Sequence, residues 1–277
     1  MRLLFNSLAG ILFLIDHGAS GAGSDVFSVS PKIGDSVVFY TGVETKQQEN
    51  IKWYFNKTRI AEINRDQSFI CTDIQCNSGP ERFRDRLKLD NQTGSLTILN
   101  TKTTDSGEYL LQAIRSSSSN DKIFNVDIRH VHATKLDEVQ TNEGQCVILD
   151  SGEIRNNDHV MTWFFKDGVI ARITGGPSET CTDVRCEDGD ERFRDRVMLD
   201  HQSGSLIIKD TRNTDSGDYK LQIVIRNSSF VITRVKRFSV SITAVQDLGP
   251  SSGAVADISF AVLLVVAALT AGVIESS

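Results

Sequence analysis

CTDIQCNSGPERFRDRLKLDNQTGSLTILNTKTTDSGEYLLQ, residues 71–112, returns as CTDVRCEDGDERFRDRVMLDHQSGSLIIKDTRNTDSGDYKLQ, residues 181–222, with no gap and 26 of 42 paired positions identical. The same 110-residue shift lays Gly34 on Gly144 and Trp53 on Trp163. Solenoid units run to about 20–50 residues, so this period marks a duplicated domain. The two copies are expected over residues 24–130 and 131–244. The connection around IRHVHATKL has no Pro or Gly run, which predicts a short linker with restricted hinge motion.

Within each copy the local signals are strands. GDSVVFYTG, IKWYFN, TRIAEIN, SLTILN, EYLLQAIR and KIFNVDI alternate or run apolar between clusters of Gly, Asn, Asp and Ser. No sustained helical stripe interrupts them. Many short strands at this spacing predict an all-β, antiparallel sandwich in each copy.

Three features recur in the same register. Trp53 and Trp163 follow the first apolar strand by the interval of a buried strand C tryptophan, and Tyr109 and Tyr219 close DSGEY and DSGDY in the manner of a tyrosine corner opening strand F. Arg82 and Arg192, each followed by Phe, precede Asp105 and Asp215 by the interval of a strand D arginine paired with an aspartate. Together these resemble the variable-type immunoglobulin domain, twice, across essentially the whole region between the chain ends. The fold class expected is therefore all-β, two tandem immunoglobulin variable-type β-sandwich domains. Along that pattern the strand B cysteine falls at Thr41 and Ser151 and the strand F cysteine at Leu111 and Leu221, so both domains lack the inter-sheet disulfide and apolar packing takes its place.

Four of the five cysteines lie instead in the repeated hexapeptide. The recurrence favours closure within each domain, Cys71–Cys76 and Cys181–Cys186, over a link between domains. Two cysteines without a neighbouring His supply too few ligands for zinc, so no metal or other cofactor is expected. Cys146 is left over, and the alternation in GQCVILDS turns it outward, a free thiol with an intermolecular bridge as the alternative.

The ends read as processing signals. Residues 1–22 carry Arg2, an apolar run and then small residues, the layout of a secretory signal peptide. Residues 254–277 are an apolar tail with no basic residue beyond it. It follows a 245–253 stalk whose small residues Ser251, Ser252 and Gly253 are candidate attachment sites for a glycosylphosphatidylinositol anchor; a single-pass type I helix is the alternative. An oxidising, extracellular route makes the sequons at Asn56, Asn91 and Asn227 candidate N-glycosylation sites. The net charge of -6 argues against a nucleic-acid partner.

Signal peptide, paired variable-like domains and a lipid anchor resemble the signalling lymphocyte activation molecule family, especially its lipid-anchored members, although the second domain here repeats the variable type. The resemblance implies a plasma-membrane adhesion or recognition receptor that meets another immunoglobulin-superfamily protein, or itself, through the GFCC′ face of the first domain. Alternation maps that face to Lys52, Tyr54, Arg59, Glu62, Leu110, Gln112 and Lys122. A shed decoy or pathogen-recognition module is the alternative. Catalysis finds no support: there is no nucleophile elbow, phosphate loop or paired His at metal spacing, and no small-molecule substrate is expected. The ERFRDR segments read as strand D, their arginines alternating with acids, rather than as an anion-binding patch.

Overall fold

The computed structural model describes residues 24–42, 50–76, 81–115, 118–130, 136–156, 158–175, 180–182, 185–186 and 191–244. The expected signal peptide (1–22), the expected stalk (245–253) with Ser251, Ser252 and Gly253, and the apolar tail lie outside them. Among the described residues no helix is long and apolar enough to cross a membrane.

The first copy folds into β1 (Asp25–Val29), β2 (Ser36–Phe39), β3 (Asn50–Phe55), β4 (Thr58–Asn64), β5 (Ile70–Thr72), β6 (Leu87–Leu89), β7 (Leu96–Ile98), β8 (Gly107–Arg115) and β9 (Ser118–Val126). The second folds into β10 (Asp137–Asn142), β11 (Val147–Leu149), β12 (His159–Phe165), β13 (Gly168–Ile173), β14 (Thr180–Thr182), β15 (Val197–Leu199), β16 (Leu206–Ile208), β17 (Gly217–Arg226) and β18 (Phe230–Thr243). In the first, the order β1-β9-β8-β3-β4-β5 forms one sheet, with β1 parallel to β9, and β2-β7-β6 faces it. The second repeats this as β14-β13-β12-β17-β18 with β10 on β18, facing β11-β16-β15. That is the variable-type immunoglobulin sandwich twice, with β3 and β12 as strand C, β8 and β17 as strand F, and β9 and β18 as strand G.

Each sandwich closes on its own apolar core. Trp53, Tyr109 and Leu111 are fully buried, as are Trp163, Tyr219 and Leu221. No cysteine bridges the sheets. In the first core Phe39 takes the space, its ring centroid 4.6 Å from Phe124, 5.3 Å from Tyr109 and 6.0 Å from Trp53. Thr41 and Ser151 are buried hydroxyls that donate to the carbonyls of Thr93 at 2.6 Å and Ser203 at 2.7 Å, so neither polar group is left unpaired. Each indole is held likewise: Trp53 donates to the Gly94 carbonyl at 2.9 Å and Trp163 to that of Gly204 at 2.8 Å. Gly94 has φ +67, and a Cβ there would run into Ile51, so the close approach of this turn to the core requires glycine.

The strand D arginine is not the one the spacing indicated. Arg86 and Arg196, not Arg82 and Arg192, grip the buried aspartates. Arg86 holds Asp105 through two bonds of 2.5 and 2.9 Å, and Arg196 holds Asp215 through two of 2.7 and 3.0 Å. ERFRDR is not a strand either. Arg84 and Asp85 both have positive φ, and Arg86 N donates to Phe83 O at 3.1 Å, so the chain turns back on itself before β6 begins. That compact turn delivers the last arginine to the aspartate, while Arg82 lies over the Phe55 ring at 5.1 Å.

The two sandwiches share a sheet. The first four residues of β18 pair antiparallel with β2, Phe230 opposite Phe39 and Thr233 opposite Ser36. Arg234 then forks onto Asp35 at 2.7 and 3.0 Å and reaches Glu153 at 2.6 Å, which also takes Lys32 at 2.5 Å.

Candidate functional site

The outer face of β9-β8-β3-β4 is built from two rows of directly opposed residues. One runs Asp121, Gln112, Lys52, Glu62, and the other Ile123, Leu110, Tyr54, Arg59. Opposed residues in a sheet point to the same side, so each row is one contiguous line of side chains. Lys52, Tyr54, Leu110 and Gln112 are half-buried there. The β3–β4 turn through Asn56 and Lys57, both at positive φ, is the tight two-residue hairpin that sets this register. A bulge between Trp53 and Tyr54 then places both Ile60 and Ala61 inside and leaves Arg59 and Glu62 outside.

Two members of the expected face move. Lys122 stands opposite Leu111, an inward residue, so it points between the sheets, where its ammonium lies 3.5 Å from the Tyr40 carbonyl. Counting alternation from strand F alone missed this, because the G-strand register is set by where β9 begins. Asp121 and Ile123 occupy the face instead. Glu62 is on the outer side but is buried, because the CTDIQC loop folds over it. Cys71 is its direct partner on β5, the turn over Asp73–Gln75 packs against β4, and Arg59 bonds Glu62 at 2.5 Å and the Cys76 carbonyl at 3.0 Å. Lys52 lies 3.6 Å from the other oxygen of Glu62. The hexapeptide therefore roofs part of the face and presents Ile74, half of whose surface is exposed.

The disulfides Cys71–Cys76 and Cys181–Cys186 are each closed within one sandwich, and Cys146 is free and exposed. Asn56, Asn91 and Asn227 are all exposed. The Asn56 side-chain oxygen accepts from Glu108 N at 3.0 Å. Among the described residues no group of three metal-ligating side chains lies together. Of the two linker histidines, His130 is exposed and His132 lies outside the described residues.

No protein-family model and no curated protein matches the chain. Among solved structures it is similar to the first immunoglobulin-like domain of human CD48 antigen, at 18% identity and TM-score 0.34, over 43% of this chain and 90% of that one. It is also similar to CD84, described in the context of the SLAM family, at 23% identity and TM-score 0.32, over 40% of this chain and 99% of that one. Murine CEACAM1b aligns over 79% of this chain and 96% of its own, at 15% identity and TM-score 0.28. The immunoglobulin-type fold itself rests on this chain's own strand order, its two cores and its paired tyrosine corners, in which Tyr109 and Tyr219 donate to the carbonyls of Asp105 and Asp215 at 2.8 and 2.7 Å.

Proposed function

We propose that the chain is a cell-surface recognition receptor whose first sandwich binds another immunoglobulin-type domain, of its own kind or a different one, through the outer face of β9-β8-β3-β4. The observation that carries this reading is the half-buried row Ile123, Leu110, Tyr54 lying against a charged row with Asp121 at one end and Lys52 toward the other. An aromatic and aliphatic centre beside opposed charges suits a contact in which apolar burial supplies affinity and charge supplies selectivity and on-rate. In this reading the C-terminal segment anchors the chain in the plasma membrane by lipid, the first sandwich stands outermost, and the sequons carry glycans. No catalytic role is assigned.

The test is a binding screen of the chain displayed on cells against itself and a panel of immunoglobulin-type ectodomains. Tyr54→Ala and Lys52→Glu are expected to abolish the interaction found, without lowering the melting temperature. Unchanged binding by both variants would refute the face. Release of the surface signal by phosphatidylinositol-specific phospholipase C tests the lipid anchor separately.

A further inference from the structure

The outer face of the first sandwich exists again in the second, with cations where the first has one acid and two apolar residues. At the positions of Glu62, Leu110 and Ile123, the strand registers put Arg172, Lys220 and Arg237. Lys220 stands directly opposite Phe164 on one side and Arg237 on the other. Its ammonium lies 4.3 Å from the Phe164 ring centroid, which places the group on the outer side of the sheet. One row along, Arg172 donates from Nε to the Thr162 hydroxyl at 3.3 Å. Arg237 and its neighbour Val235 are exposed. Among the described residues no ion pair joins Arg172, Lys220 or Arg237 to a carboxylate. Among the described residues, Asp218, two positions from Lys220 on β17, and Glu138 on β10, opposite Ser239, are the carboxylates that share this side.

Among the described residues of this side, three cations outnumber two acids, a band of local positive excess on a chain whose net charge is -6. Such a local excess, set against the sign of the whole molecule, creates its own field. The band crosses β13, β12, β17 and β18, three strand intervals or about 14 Å at ordinary sheet spacing. Its charges are spread over two adjacent rows across four strands rather than converging on a point, so they match a repeating anion better than a single phosphate. We propose that this face of the second sandwich binds an extended sulfated polysaccharide, with Arg237 and Lys220 as the principal contacts and Arg172 extending the track. None of the sequons at Asn56, Asn91 and Asn227 lies on β12, β13, β17 or β18, so the candidate glycans are attached off this face. The proposal is independent of the reading given to the first sandwich.

The experiment measures binding of the full chain to immobilised heparin across a salt series. Wild type is expected to bind at physiological ionic strength and to weaken steeply as salt rises. Arg237→Glu and Lys220→Glu are each expected to lower the affinity about tenfold or more. Arg84→Glu and Lys88→Glu, at exposed cations of the first sandwich, should leave it unchanged. Desulfated heparin, polyglutamate and duplex DNA serve as competitors and should displace the chain poorly. Arg237 is exposed and lies on β18, away from Phe164, so its variant keeps the test valid if Lys220→Glu disturbs Phe164. Absence of heparin binding by wild type would overturn the proposal. So would equal binding by Arg237→Glu and wild type, or displacement by polyglutamate or DNA as effective as that by heparin itself.

Discussion

Arg82 and Arg86 share a six-residue segment and differ completely in burial. Asp105 is fully buried, and the guanidinium of Arg86 answers both of its oxygens while also donating to the carbonyls of Leu99 and Asn100. Hydrogen bonding to Asp105 raises the pKa of Arg86, so the guanidinium stays charged. Removing one member of a buried pair strands the other. Arg86→Leu is therefore expected to destabilise the first sandwich by about 3–5 kcal/mol, whereas Arg82→Leu, which loses only an exposed contact with Phe55, should cost about 0.5–1 kcal/mol. Urea unfolding of the two variants separates these outcomes. His159 is a second residue with a measurable consequence. It is buried in the second sandwich with Asp158, Glu153, Arg234 and Arg155 around it, and burial, the largest influence, lowers its pKa. The unfolded chain then takes up the imidazole proton at about pH 6.5 while the folded chain does not. Stability should be full above that pH and fall as the pH drops toward the folded value, by no more than about 1.4 kcal/mol per pH unit. His159→Gln should flatten this dependence between pH 7.5 and 5.5, as read from urea midpoints.

At the scale of elements, the CTDIQC hexapeptide acts on its neighbour β4 rather than on the core. Neither Cys71 nor Cys76 belongs to the main apolar cluster, while the loop between them covers Glu62 and engages Arg59. A loop this short contributes about 2 kcal/mol by chain entropy. Replacing both cysteines by Ser is expected to lower the unfolding free energy by that amount or less. The larger effect should be local, with amides of β4 and β5 exchanging faster while those of β3 and β8 keep their protection. Exchange that accelerated equally across β3 and β8 would show that the disulfide supports the whole sheet. The corresponding hexapeptide in the second sandwich stands beside Arg172 instead of Glu62, so the same covalent loop flanks an acid in one sandwich and a cation in the other.

The whole molecule is joined by more than its linker. Four residues of β18 extend the sheet of β2, and Arg234 ties Asp35 and Glu153 across the junction. Asp35 is 2% exposed, and removing that guanidinium would strand a buried carboxylate without its ion-pair partner. Calorimetry of the wild-type chain should show one cooperative transition for both sandwiches. Arg234→Ala should separate it into two, with the first sandwich melting earlier because Asp35 loses its partner. The junction also makes the two outer faces parts of one body, and a ligand on either would hold the orientation of both.

The repeat, the alternation and the paired Trp, Tyr and Asp positions were enough to read two immunoglobulin-type sandwiches from residues alone, because buried strands impose a period of two and the tyrosine corner a fixed local spacing. Cys71–Cys76 and the inward Leu111 were legible for the same reason: their determinants are close in sequence. The tertiary structure decided what depended on long-range register. Lys122 turned inward because β9 pairs with β8 one residue away from the expected phase, and a slip of one residue exchanges the faces of a strand. Arg86 displaced Arg82 because two consecutive left-handed residues fold a segment that alternation alone would leave extended. The union of β18 with β2, the burial of Glu62 beneath a loop, and the basic band across β13, β12, β17 and β18 each join residues far apart in the chain, and only the packing of complete strands brings such residues together.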